Sequence, residues 1–412
     1  MPIDRNAKVN RAASSRVGLA LAGGGPLGSI YEIGALSALA ESLEGLDFND
    51  LYVYVGVSSG SFIAAGLANG IKPIEMCRMF IESEAAEEPF DPALLMRPAF
   101  GEYLRRAGSL LPLLLTSARQ YLSNPIGQGF FASFQRLSNA LPAGIFDNTG
   151  IGEFLERMFA QPGRSNDFRR LRHKLYIVAT ELDTAATVAF GAPRFEHVPI
   201  AQAVLASAAL PGLFPPVEID GHHYVDGALK KTMHASVALK EGADLVLCIN
   251  PLVPFDSSGS GARRRLVRGG LPQVLSQTFR AIIHSRMQVG MGKYETEFKG
   301  SDVVLFEPDR CDADMFFTNI FSYSSRKRLC EHAYQNTRAD LWRRRRELGP
   351  VLARHGVRLS LEVIRDPSLT LVRPHLRRRS RGSAAAVRAT AGLANCLDDL
   401  ERWVRLATLR SG

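Results

Sequence analysis

The chain has 412 residues, 46% hydrophobic and 22% charged, with a formal net charge of +9. This is the composition of a globular protein with two to three domains' worth of core, and it excludes a disordered or collagen-like chain. Its five cysteines (Cys77, Cys248, Cys311, Cys330 and Cys396) lack framework spacing, so a disulfide scaffold is excluded and a reducing, cytoplasmic location is expected.

Met1 to Arg16 are polar and turn-rich and read as a disordered tail (residues 1–16) without a signal pattern. Val17 to Ala22 form an apolar run, read as a buried strand, which ends in Gly23-Gly24-Gly25-Pro26-Leu27-Gly28. A glycine loop between a strand and a helix offers a row of backbone N–H groups. Gly23, Gly25 and Gly28 also satisfy the dinucleotide-binding spacing, with Glu41, Glu44 and Asp47 at the distance of its acidic residue. The second strand, Leu51 to Val55, argues against that reading, because it ends in Gly56-Val57-Ser58-Ser59-Gly60 instead of an acid. A serine on a tight strand-to-helix turn, with glycines where helix and strand pack closely, is the arrangement of an acyl-transfer nucleophile. Ser58 is the candidate nucleophile, and Ser59 and Ser61 are read as caps or packing residues of the helix that follows.

A helix is expected from Lys72 to Ser83. Residues 84–150 then leave the α/β rhythm, with amphipathic pieces at Tyr103 to Leu115 and Phe130 to Leu141. A lid facing lipid and a helical cap packed on the core are both open for this insertion. Another helix, Ile151 to Phe159, leads to a strand at Leu175 to Thr180. Val217 to Val225 read as a hairpin turning at Asp220-Gly221. His222 and His223 beside that turn are the histidines nearest a plausible triad, although turn histidines are commonly solvated. Asp226, before Gly227-Ala228, would leave its strand end facing a crevice. Glu241 to Asn250 form a further strand.

Ser257 to Gly261 are glycine- and serine-rich, and a domain boundary is expected there. It separates a catalytic domain at 17–255 from a basic, mostly helical region at 256–412. Leu271 to Met291 and Ser324 to Glu347 read as helices, and Val357 to Val363 as a half-exposed strand. Leu393, Leu397, Leu400 and Val404 lie at helical spacing in the tail. Residues 1–255 hold 21 Lys/Arg against 25 Asp/Glu, whereas residues 256–412 hold 29 against 16. Basic runs such as Arg343-Arg344-Arg345-Arg346 suit peripheral contact with anionic lipid headgroups. Solvated faces account for them equally well. Nucleic acid is not expected, since no helix-turn-helix, zinc finger or interleaved aromatic pattern accompanies the charge.

In order, the glycine loop, Gly56-Val57-Ser58-Ser59-Gly60 and Asp226-Gly227-Ala228 resemble the patatin-like phospholipases, which use a Ser-Asp dyad. Val178 to Asp183, Ala203 to Pro216 and Glu241 to Asn250 are similar to further segments of that family. The resemblance implies a three-layer α/β/α sandwich with a mostly parallel central sheet. It implies Ser58 as nucleophile, Asp226 as base, and an oxyanion hole at Gly23, Gly24, Gly25 and Gly28. Gly56, Gly60 and Gly227 would support the motifs, and neither metal nor cofactor is implied. The activity implied is a serine lipid acyl hydrolase of the phospholipase A or lysophospholipase type, located in the cytoplasm or peripherally on the inner membrane face. An esterase or thioesterase for neutral lipid or acyl-CoA, and a non-catalytic membrane-binding protein, are the alternatives. Two departures from the family are visible. Leu27 stands where an Arg or Lys is usual, and Leu229-Lys230-Lys231-Thr232-Met233-His234 follows Asp226-Gly227-Ala228. One of Lys230 and Lys231 would face a headgroup, or both would be solvated.

Overall fold

A computed structural model describes residues 15–82, 94, 97, 144–258, 265–317 and 323–372. Residues 1–14, the amphipathic pieces within 84–143 and the helix expected in the tail lie outside these residues, whereas Arg16, expected in the disordered tail, is paired with Asp244 at 3.0 Å. Ten strands are described: β1 (Val17–Leu21), β2 (Leu43–Glu44), β3 (Val53–Val57), β4 (Lys174–Glu181), β5 (Thr187–Phe190), β6 (Val217–Ile219), β7 (His222–Asp226), β8 (Leu245–Ile249), β9 (Asp302–Phe306) and β10 (Arg358–Leu359). Among the described residues, eight of them form one sheet in the order β6-β7-β4-β3-β1-β8-β9, with β5 also paired to β4. The five strands from β4 to β9 in that order run parallel, while β5, β6 and β7 join antiparallel.

The strand β1 shows why the run Val17 to Ala22 is apolar throughout. Val17, Leu19 and Leu21 enter one core, and Ala20 and Ala22 enter another on the opposite face. Parallel strands covered on both faces lose the alternation of half-exposed ones. The main helices are α1 (Gly25–Ser42), α2 (Ser59–Ala68), α3 (Thr149–Phe159), α4 (Ile200–Ser207), α5 (Ala235–Lys240), α6 (Gly270–Glu297) and α7 (Tyr323–Arg343). Side chains of α1, α2, α3, α4 and α7 fill the first core, and those of α5 and α6 fill the second. This is the expected three-layer α/β/α sandwich. The hairpin turns where expected, with Asp220 and Gly221 at φ of 52° and 78°, as a type I′ turn requires.

The boundary expected at Ser257 to Gly261 is absent. β9 pairs with β8 in register from Leu245–Asp302 to Ile249–Phe306, so the chain beyond 256 completes the sheet. α7 packs directly on α1, where Gly34 lies against the Cys330 carbonyl. Residues to Val372 belong to one unit. The strand expected over Val357 to Val363 shrinks to β10, which pairs with the two-residue β2, followed by a short helix from Leu361 to Arg365. With so short a partner there is no ladder to extend the pairing. No described helix is long and apolar enough to cross a membrane.

A Cβ on Gly34 would stand 2.4 Å from the Cys330 carbonyl oxygen and 2.9 Å from Ala333 Cβ. Gly34→Ala is therefore expected to push α1 from α7 and lower stability by about 1–3 kcal/mol in denaturant unfolding. Gly292→Ala, where a Cβ meets nothing within 4 Å in the helix α6, should raise it by about 0.5–1 kcal/mol.

Candidate active site

Between β3 and α2 the chain turns through Ser58, whose φ of 50° and ψ of −124° are unusual for a residue with a side chain. Such a conformation costs on the order of 1–3 kcal/mol and persists only where its surroundings hold it. Gly56 and Gly60 allow the helix to press on the sheet. A Cβ on Gly56 would lie 2.4 Å from Ser61 Cα, and one on Gly60 would lie 2.5 Å from the Ala22 carbonyl oxygen. Hydrogen bonds clamp the turn. The Ser58 N–H donates to Ser207 Oγ at 2.8 Å, and Ser207 Oγ donates to the Val178 carbonyl at 2.6 Å. Ser61 Oγ donates to the Ser58 carbonyl at 2.5 Å, so it braces the turn from within the helix. Ser59 Oγ is buried with no hydrogen-bond partner among the described residues.

Strand register brings the carboxylate to the same level. Val57 stands opposite Val178 of β4, and the next residue of β4, Ala179, stands opposite Asp226 of β7. Ser58 Oγ donates to Asp226 Oδ2 at 2.7 Å. The other carboxylate oxygen accepts from the Ala228 N–H at 2.8 Å. The Asp226 N–H is held by the Ala209 carbonyl at 3.0 Å. Gly227 is required beneath, since a Cβ there would lie 2.3 Å from the Val178 carbonyl oxygen. Asp226 is 3% exposed. Burial pushes its pKa up to about 6, against the opposing pull of the Ser58 and Ala228 hydrogen bonds.

The glycine loop lies against this pair. A Cβ on Gly23 would stand 3.0 Å from Ser58 Cβ. The four glycines expected to donate to an oxyanion differ in what their N–H groups do. Gly23 donates to the Thr232 carbonyl at 3.3 Å, and Gly28 to the Gly24 carbonyl at 3.0 Å. These two N–H groups are engaged within the protein, which corrects the expectation for Gly23 and Gly28. Gly28 instead makes room, since a Cβ there would meet Pro251 Cγ at 2.9 Å. Gly24 is the N-cap of α1 and Gly25 its first residue. At those positions the N–H groups have no acceptor within the helix and sit at the positive end of its dipole. Leu27 is half-buried and packs on the core, leaving no side-chain charge at that point of the loop.

No imidazole is hydrogen bonded to Ser58 or Asp226 among the described residues. His222 is exposed and bonded to Glu181 at 2.9 Å, and His223 is exposed on the hairpin. His234 is buried, and burial together with the charge of Lys231 pushes its pKa down to about 3, so its ring is neutral. The lysines are not a solvated pair. Lys230 donates to the Ala185 carbonyl, whereas the Lys231 ammonium lies 4.7 Å from the Tyr294 ring centroid, its pKa lowered by burial. No cluster of three His, Cys, Asp or Glu side chains able to hold a metal occurs among the described residues. Ser207 was missed as a functional residue, because its role depends on two elements that meet only in the fold.

The family model for patatin-like phospholipase matches residues 19–239. No curated protein matches the chain. Among solved structures, VipD from Legionella pneumophila is 14% identical, with 79% of this chain and 66% of that one covered and a TM-score of 0.36. The type III effector ExoU from Pseudomonas aeruginosa is 16% identical, with 81% and 53% covered and a TM-score of 0.36. The matched part of this chain thus spans between about half and two thirds of those proteins.

Asp226 makes the stability depend on pH. A carboxyl that ionises near 6 when folded and at 3.8 when free holds its proton more tightly in the native state. Its contribution is greatest at acid pH and is lost as pH rises through about 6. Asp226→Asn should therefore unfold at higher denaturant than the parent at pH 8, by about 2–3 kcal/mol. The gap should close near pH 4, where both side chains are neutral.

Proposed function

The chain belongs to the patatin-like phospholipase family, and from that premise we propose that it hydrolyses carboxylic esters of membrane lipids, as a phospholipase A or lysophospholipase. Ser58 is the nucleophile and Asp226 the general base. The observation that carries this reading is the 2.7 Å hydrogen bond from Ser58 Oγ to a buried carboxylate. An aspartate in water, with a pKa near ~3.9, is a weak base at neutral pH. Desolvation of Asp226 brings its basicity closer to the task while leaving it ionised at pH 7.

Ser58 Oγ attacks the ester carbonyl carbon as its proton passes to Asp226 Oδ2. The negative charge that develops on the carbonyl oxygen is met by the N–H groups of Gly24 and Gly25 at the head of α1. The C–O bond to the leaving alcohol breaks as Asp226 returns the proton to that oxygen, which leaves an acyl-Ser58. Water then takes the place of the alcohol. Asp226 accepts its proton during attack on the acyl carbon, and collapse releases the fatty acid and restores the Ser58 hydroxyl.

Leu27 favours a second reading of the substrate. An apolar side chain where the family usually carries a cation suits an uncharged lipid ester or a thioester as well as a phospholipid. Peripheral contact with a lipid surface belongs to either reading.

Hydrolysis of a panel of phospholipids, lysophospholipids, neutral glycerides and acyl-CoA, with chelator present, tests both. Ser58→Ala and Asp226→Ala are each expected to lower the rate by about three orders of magnitude or more, and the best ester names the substrate class. The value of kcat/KM should be level above pH 7 and fall roughly tenfold per unit below pH 6, as Asp226 takes up its proton. Activity that survives Ser58→Ala would overturn the dyad, whereas a parent protein that cleaves no ester and that a fluorophosphonate does not label would overturn the hydrolase in favour of a binding role.

A further inference from the structure

The helix α6 is longer than its connection needs. It joins the parallel strands β8 and β9, each of five residues, or roughly 17 Å. Its 28 residues extend about 42 Å. Met287 and Tyr294, in its second half, pack into the core beneath the sheet. The first half lies past the carboxyl end of β8, where Gln277 bonds both backbone groups of Phe255 and Arg280 donates to the Val253 carbonyl. That loop begins at Asn250-Pro251, and Pro251 packs against Gly24 and Gly28 of the glycine loop. Farther along, Gly290 lies beside Lys231, just after Leu229. The helix therefore runs along the side of the molecule that holds Ser58.

Its polarity is reversed. The inward face carries Gln277, Arg280 and His284 beside Met287. The outward face carries Leu271, Leu275, Phe279, Ile282 and Val289, at steps of three, four or seven, and Leu271 and Phe279 are 70% and 52% exposed. A helix that turns its apolar stripe to solvent has another partner in its working state. Arg286 and Lys293 continue the same stripe and are exposed, as is Arg268 just before it. Residues 257–294 contain seven Lys/Arg and no Asp/Glu.

Apolar side chains interleaved with the exposed cations Arg268, Arg286 and Lys293 fit the boundary between anionic headgroups and acyl chains. A second copy of the same face would bring like charges together. We infer that the outward face of α6 docks the protein on an anionic lipid surface and so sets the side that holds Ser58 against the bilayer. The inference rests on the lipid-hydrolase reading and deepens it by naming where the lipid surface is met.

Sedimentation of the full chain with phosphatidylcholine vesicles, with and without phosphatidylglycerol, tests the docking without any need for turnover. The parent should bind the anionic vesicles more tightly, and less so as salt rises. Leu275→Asp with Phe279→Asp should weaken binding by about tenfold or more, with an unchanged melting temperature and unchanged hydrolysis of a monomeric aryl ester. Arg268→Glu with Arg286→Glu, which spares the apolar stripe, should remove the preference for phosphatidylglycerol. Equal binding by the parent and both variants would overturn the inference. So would a parent that forms a dimer dissolved by the Leu275 and Phe279 changes, which would assign the face to a second copy. Vesicle binding as expected with no ester cleaved would keep the docking face and remove the hydrolase reading. Hydrolysis with vesicle binding indifferent to α6 would do the reverse.

Discussion

The bond between Ser58 and Asp226 exists because three strands end at one level. Val57 sets the height of β3 against Val178, and Ala179 sets the height of Asp226 against β4. A one-residue slip in either pairing would turn every side chain of the slipped strand to the opposite face. The sheet resists such slips because β1, β3 and β8 are buried along their length. The core on both faces therefore holds the strands in register, and the register places Ser58 Oγ beside Asp226 Oδ2. Ser207 connects the two levels, since its hydroxyl bonds the Ser58 N–H and the Val178 carbonyl at once.

Much of this was legible in the sequence, for identifiable reasons. Gly56, Ser58 and Gly60 are local: a strand, a tight turn and a helix of small residues stand next to one another, and the close packing demands those glycines. Asp226 was legible because a hairpin with an Asp-Gly turn fixes which residue ends the strand. The glycine loop was only half legible. That Gly23 gives its N–H to the Thr232 carbonyl follows from a contact between residues more than two hundred positions apart, which no local pattern encodes. The same applies to Ser207, a small polar residue near a helix end until β4 is placed beside it.

The misread boundary has a different cause. Ser257 to Gly261 have the composition of a linker, yet a linker and a long loop between parallel strands draw on the same residues. What distinguishes them is whether the next strand pairs with the last, and β9 does pair with β8. The helical reading of Leu271 to Met291 held, but periodicity gives the width of an apolar stripe and not the side on which it lies. In α6 the stripe faces outward, because the inward positions are taken by Gln277 and Arg280, which satisfy the carbonyls of the loop at Val253 to Phe255.

The backbone of Ser58 has a bearing on how such a chain changes over generations. At a φ of 50° glycine is the more comfortable residue, and one nucleotide change converts two of the six serine codons to glycine. Drift that is blind to chemistry would therefore be free to replace the hydroxyl, easing the backbone while giving up the bond to Asp226. A serine kept on a left-handed turn survives only while descendants that lose it are removed. Lineages of this fold that stop using the site should be marked by a glycine at this position well before their sheet or helices decay.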